Sequence, residues 1–253
     1  MWGSASFIVS VLAVGWLVER TDIRTIFVVL AAAMVATALA GGGIRGRSTV
    51  QPATARSGLS AVVGSPVLRR FLLAVVVAWS ASTAVNGFLS IHLLSIGASS
   101  ALVGGSWAIG ALVEVPVMLG FASLASRVGV ERLIVAGAAA MLLRGLALLV
   151  LRDPVLATAT MALHGIGFAL LLVGGVVYVS RHAPAGAAAA SQGVLGATVF
   201  GIAAIAGPGA GGLFARALGV EGMFAVACVG SAIGLAALAA LLGPMRQRAA
   251  AAI

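Results

Sequence analysis

Residues 130–150 read VERLIVAGAAAMLLRGLALLV. After its opening Glu-Arg pair the run is apolar, and it is long enough for a helix to cross about 30 Å of hydrocarbon, which takes roughly 20 residues. Yet Arg144 stands deep inside it. A guanidinium at that depth needs a buried partner or a water-filled cavity, because it is too far from either end to snorkel to an interface. The stretch therefore implies an all-α membrane protein with a polar feature in its interior.

The same pattern recurs along the 253 residues, of which 62% are hydrophobic and 8% charged. A mean hydropathy of +1.19 excludes an ordinary soluble domain. The apolar runs are continuous rather than alternating, which selects helices over barrel strands. Breaks at charged or Gly/Pro-rich turns predict about eight spans: Trp2 to Val18, Thr25 to Gly43, Phe71 to Ile96, Ala101 to Ala125, Leu133 to Leu151, Val155 to Ser180, Ala187 to Leu213 and Met223 to Leu242. Residues 44–70, with Arg45, Arg47, Arg56, Arg69 and Arg70 among Gly, Ser, Thr and Pro, form the longest polar connection. They divide a two-helix piece, 1–43, from a six-helix piece with a short tail, 71–253.

All 15 basic residues are arginines, and the formal net charge is +9. None lies in an aromatic-interleaved or groove-reading pattern, so no nucleic-acid partner is implied. The absence of lysine beside so much Ala, Gly and Val suggests GC-rich coding and a bacterial source. Ten arginines fall in connections on one side of the predicted spans and four on the other, which places the linker and both termini in the cytoplasm of a multi-pass inner-membrane protein. Met1 to Leu17 lacks a basic leader and runs through a short turn into the next span, so it reads as a retained helix rather than a signal. Cys228 is alone in an apolar run, offering no disulfide.

Three ionisable residues sit on successive predicted spans: Glu114 in IGALVEVPVMLG, Arg144, and His164 in MALHGIGFALLL. An acid, a fixed cation and an imidazole form a set in which protonating one group alters the pairing of the others. Pairing of Glu114 with Arg144 purely for stability remains open, as does a simple backbone bond for His164, although buried ion pairs are poor stabilisers. His92 and His182, near span ends, read as interfacial. Helical spacing aligns Ser106, Gly110 and Glu114 on one stripe, Thr160, His164, Gly167, Leu171, Gly174 and Tyr178 on another, and Trp79, Ser82, Asn86 and Ser90 on a third. Such stripes suit a cavity wall, and equally suit close helix packing. The run GPGAGG at 207–212 has no following Lys and lies in apolar sequence, so it reads as a kinked, tightly packed membrane helix rather than a phosphate cradle. Gly105-Ser106 lacks the GxSG arrangement of an intramembrane serine protease, and no metal or cofactor motif is present.

MWGSASFIV at 1–9, NGFLSIHLLSIGASSALVGGSWAIGALVEVPVM at 86–118, SRVGVERL at 126–133, Arg144, LHGIGFALLLVG at 163–174 and SQGVLGATVFGIAAIAGPGAGGLF at 191–214 occur in an order that resembles the major facilitator superfamily. The resemblance is to its lactose-permease-like and phenylpropionate-permease-like proton symporters. It implies that the spans correspond to helices five to twelve of a twelve-helix architecture, in a chain lacking the first four. It implies alternating access, with solute bound near the midplane. Arg144 is similar to the family's coupling arginine, His164 to its tenth-helix histidine, and Glu114 to the acid of its EVP-type motif. Gly167 stands where lactose permeases carry an acid one turn after the histidine, and Ser82 and Asn86 lie near the place of a missing charged pair, so a lactose-like substrate does not follow.

The expectation is a non-enzymatic, proton-coupled symporter of a small organic solute such as an aromatic acid, nucleoside or sugar, in a truncated chain. Glu114 or His164 would exchange the proton and Arg144 would stabilise the deprotonated state, with Trp79, Asn86, Trp107 and Gln192 in the cavity wall. Proton-driven efflux is one alternative; a membrane scaffold or subunit is another, and oligomeric state is open.

Overall fold

A computed structural model describes residues 20–43, apart from 23, and 52–250, with isolated positions at 10, 13, 14 and 17; side chains are described over 20–42, again without 23, and 58–243. The chain divides into two units, 1–54 and 55–253. The predicted first span, Trp2 to Val18, lies outside the described residues apart from four helical positions.

In the first unit, helix α1 (Thr25–Gly43) is apolar on every side and has no buried face, with Phe27, Met34 and Leu39 all largely exposed. That pattern suits hydrocarbon, not water. Its polar atoms are satisfied locally: Thr37 Oγ1 donates to Ala33 O at 2.8 Å, and Asp22 Oδ1 accepts from Arg24 N at 2.7 Å.

Most of α2 (Pro52–Gly64) belongs to the second unit, and α3 (Pro66–Ser95) follows it. The polar connection expected over 44–70 is thus helical in its second half, and Arg69 and Arg70 lie within the first two turns of α3. The start of α3 has a physical cause: Ser65 caps it, accepting from Leu68 N at 3.4 Å, and Pro66 occupies the position whose N–H has no helical partner. Next come α4 (Ser100–Val128), capped by Ser99, and α5 (Val130–Val150), separated only by Gly129 at φ +93°. Asp153 accepts from Val155 N and Leu156 N, both at 2.9 Å, and starts α6 (Pro154–Ala159). After an irregular turn at Thr160 the chain continues as α7 (Met161–His182). Helix α8 (Ala188–Gly196) passes through a π-helical turn, Ala197–Ile202, into α9 (Ala203–Ala250).

Among the described residues six stretches are long and apolar enough to cross a membrane. The last covers 56 residues, about 84 Å if it were one straight helix, and Gly219 breaks it at φ 75°, ψ 172°. That break falls inside the connection expected between Leu213 and Met223. The backbone stays helical through GPGAGG, and its departures fall on either side, at the π turn and at Gly219, where only glycine accepts the conformation readily.

The two arms of α9 run in opposite directions along α3. Gly207 and Gly211 face the Ser80–Phe88 stretch in ascending order, whereas Gly230 and Gly234 meet Ala81 and Ala78 in descending order. Helix α7 packs between α4 and α5, and α5 also packs on α9. Two apolar clusters fill this unit, one including Phe71, Trp79, Ile134 and Leu170, the other including Leu89, Leu148, Met161 and Phe224.

Candidate functional site

Two glycine crossings set the geometry around the intramembrane ionisable residues. Where α5 meets α7, a Cβ on Gly167 would lie 3.0 Å from Gly137 O and 2.9 Å from Met141 Cγ, so the backbones touch. Two turns further along α5 this contact brings Arg144 level with Met161, at the start of α7. Where α4 meets α7, a Cβ on Gly165 would lie 2.3 Å from Gly110 O and 3.1 Å from Glu114 N. That crossing places Trp107 and Glu114, one turn to either side of Gly110, on the part of α4 that faces His164.

Arg144 is 1% exposed, the largest of the fully buried side chains. Its Nη1 donates to Asn86 Oδ1 on α3 at 2.8 Å, and Nη2 approaches Met161 Sδ at 3.3 Å. Nε is buried with no protein partner. A buried cation held by one neutral oxygen and a weak sulfur acceptor is under-satisfied, since each buried N–H without a partner costs about 1–3 kcal/mol. His164 is half-buried, lies within electrostatic range of Arg144, and has a buried Nδ1 with no partner. Glu114 is half-buried and has an interaction partner within the protein.

Four rings run across these helices. Trp107 and His164 are edge-on at 6.3 Å and 84°, His164 and Phe168 lie 5.8 Å apart, and Phe168 and Trp79 lie 5.6 Å apart. The structure thus gathers Arg144, Asn86, His164, Trp107 and Trp79, with Glu114 at the edge of the group. Gln192 lies elsewhere. Its Nε2 donates to Val176 O at 2.9 Å and Ser180 Oγ at 2.7 Å, tying α8 to α7 about 18 Å along the helix from His164.

Met161, Met141 and Phe168 belong to this region and were not predicted. Ser82 Oγ donates to Met141 Sδ at 3.3 Å, beneath the Arg144 bond. Phe168 had a signal, since it stands one turn after His164 and shares its face. His92, in the last turn of α3, is 1% exposed and packs 5.0 Å from Phe224, so at the span end it is covered by protein. The second arm of α9 supplies that cover. His182 is half-buried at the end of α7, where its Nδ1 meets Tyr178 O at 2.9 Å. Of the stripe on α7, Gly167 and Gly174 serve close packing, against Met141 and Ile134. Among the described residues no group of His, Cys, Asp and Glu could hold a metal ion.

The sequence pattern of the MFS_1 like family matches residues 1–226. No curated protein matches the chain. The crystal structure of a mutant of the nucleoside transporter NupG superposes with a TM-score of 0.77 at 19% identity, over 95% of this chain and 66% of that one. The present chain thus spans just under two thirds of the length of that structure, and the likeness is one of fold. With the family pattern covering most of its residues, this multi-pass helical membrane protein belongs to the MFS_1 like family of the major facilitator superfamily.

Proposed function

We propose that the protein takes part in secondary transport of a small organic solute coupled to protons, with the Arg144 region of α3, α4, α5 and α7 as the coupling centre. The observation that carries this reading is Arg144 itself, buried at membrane depth and held across helices by Asn86 Oδ1 at 2.8 Å. An arginine so placed is costly unless it serves a function. Membership of a transport family agrees with the expectation that the chain is not an enzyme.

In this mechanism His164 or Glu114 exchanges the proton and Arg144 favours whichever state leaves a negative or neutral group beside it. Two partnerless nitrogens, Arg144 Nε and His164 Nδ1, are what a site between two states would hold, since another arrangement of α4, α5 and α7 can satisfy them. The solute would sit against Trp79, Asn86 and Trp107, and Gln192 would act at a distance, on the joint between α7 and α8. The lysine-free, Ala- and Gly-rich composition suits a bacterial inner membrane, and the arginine bias puts both termini in the cytoplasm. The eight-span count and the correspondence to helices five to twelve belong to the same proposal.

The test is accumulation in proteoliposomes. With an imposed inward pH gradient, a panel of labelled aromatic acids, nucleosides and sugars should contain a solute that accumulates, and a protonophore should abolish the effect. Accumulation that is indifferent to the gradient would remove proton coupling from the account.

A further inference from the structure

The ring row across α3, α7 and α4 carries a statement about the solute. Trp79 is buried, but Phe168, His164 and Trp107 are each only half-buried. Helix α3 packs mainly on α9, and its approach to α7 is slight by comparison, so side-chain rings rather than touching backbones span that gap. Rings whose sole task was to fill a core would be expected to bury their faces. Here three adjacent rings keep part of theirs open.

Two polar side chains stand on the helices beside the row: Asn86, which receives Arg144, and the half-buried Glu114. The 84° angle between Trp107 and His164 forms a corner offering a ring face on one side and a ring edge on the other. Aromatic groups bind in both orientations, offset-stacked and edge-to-face. A sugar or other polyol would call for many convergent hydrogen-bonding side chains, and the row supplies rings in their place. Two concavities elsewhere on this unit lack such a row: one of about 270 Å³ between α3 and α9, mostly Ala, Gly and Val with Phe214 as its one ring, and one of about 410 Å³ beside Gly129 with Glu131 and Arg132 but no ring.

We infer that the solute bound here carries a planar aromatic or heteroaromatic ring, which inserts against Phe168, His164 and Trp107 while Asn86 and Glu114 read its polar substituents. The inference rests on the transport reading above and narrows it by excluding non-aromatic sugars.

Equilibrium binding of labelled benzoate, adenine and methyl galactoside to the full chain in lipid nanodiscs tests it. At least one of the two aromatic probes should bind saturably. Phe168→Leu and Trp107→Leu should each weaken that binding about tenfold or more, the size of one lost stacking contact, while Phe200→Leu, on an exposed surface, should leave it unchanged. Circular dichroism and detergent melting would show that the variants fold. Binding of the galactoside alone, binding of none of the three, or aromatic binding unchanged in folded Phe168→Leu and Trp107→Leu would each overturn the inference. Aromatic binding without proton-linked flux would leave the ring site standing and defeat the transport reading.

Discussion

Helix α3 has two working faces, and they are built on opposite principles. Toward α9 it presents Ala78, Ser80, Ala81 and Ala84 to Gly207, Gly211, Gly230 and Gly234, so closely that a Cβ on Gly207 would lie 2.3 Å from Ser80 O. Thr83 Oγ1 adds a hydrogen bond to Ala203 O at 2.8 Å. Toward α5 and α7 the same helix presents Trp79, Ser82 and Asn86, which meet a ring, a sulfur and a guanidinium. In a bilayer, where lipid offers no hydrophobic drive to pair helices, the first face holds by close packing. The second meets α5 and α7 through side chains, where Arg144 Nε and His164 Nδ1 are buried without partners. The difference teaches that the cohesion of this unit and its chemistry are separated by about half a turn of one helix.

That contrast can be broken at either face. The largest effect on folding should come from Gly207→Val, which drives a branched side chain into α3 backbone; a loss of several kcal/mol, above the usual ~1–3 kcal/mol of overpacking, should appear as a failure to resist mild denaturant. Asn86→Leu comes next. It removes the oxygen that receives Arg144 and should cost about 2–3 kcal/mol in denaturant unfolding while also abolishing coupled uptake. If Asn86→Leu were neutral in both measurements, the functional face would reduce to packing. Gly110→Ala should be milder, because the atom met at 3.1 Å is the flexible end of Met161, yet it should shift solute affinity by pressing α4 away from His164. The smallest effect belongs to Arg152→Gln. The Arg152–Glu221 pair lies on neither face, both side chains are more than half exposed, and thermal melting should not change measurably.

Much of this contrast was legible before any coordinates. The spacing of Trp79, Ser82 and Asn86 placed them on one face, and they do share a direction, toward α5 and α7. Depth within an apolar run marked Arg144, Glu114 and His164, because depth can be read from position along the chain and an ionisable group there is costly unless it is partnered or hydrated. What spacing could not supply was the partner. Nothing local to Met161 says that its sulfur will meet a guanidinium 17 residues earlier, since that depends on the Gly137–Gly167 crossing. Burial of His92 likewise depends on an arm of α9 more than 130 residues later in the chain. The break at Gly219 falls in the connection expected between Leu213 and Met223, whereas a capped proline, Pro66, starts a helix inside the predicted linker. Gln192 was a sound guess by residue type, but its amide is spent on Val176 and Ser180.

The central claim is that Arg144 couples proton movement to solute movement. It is tested most directly by recording external pH in a lightly buffered suspension of vesicles as the transported solute is added, for the native chain and for Arg144→Gln. The account predicts alkalinisation on solute entry with the native chain, and solute exchange without any proton movement in the variant. Undiminished, solute-dependent alkalinisation by a well-folded Arg144→Gln protein would contradict it.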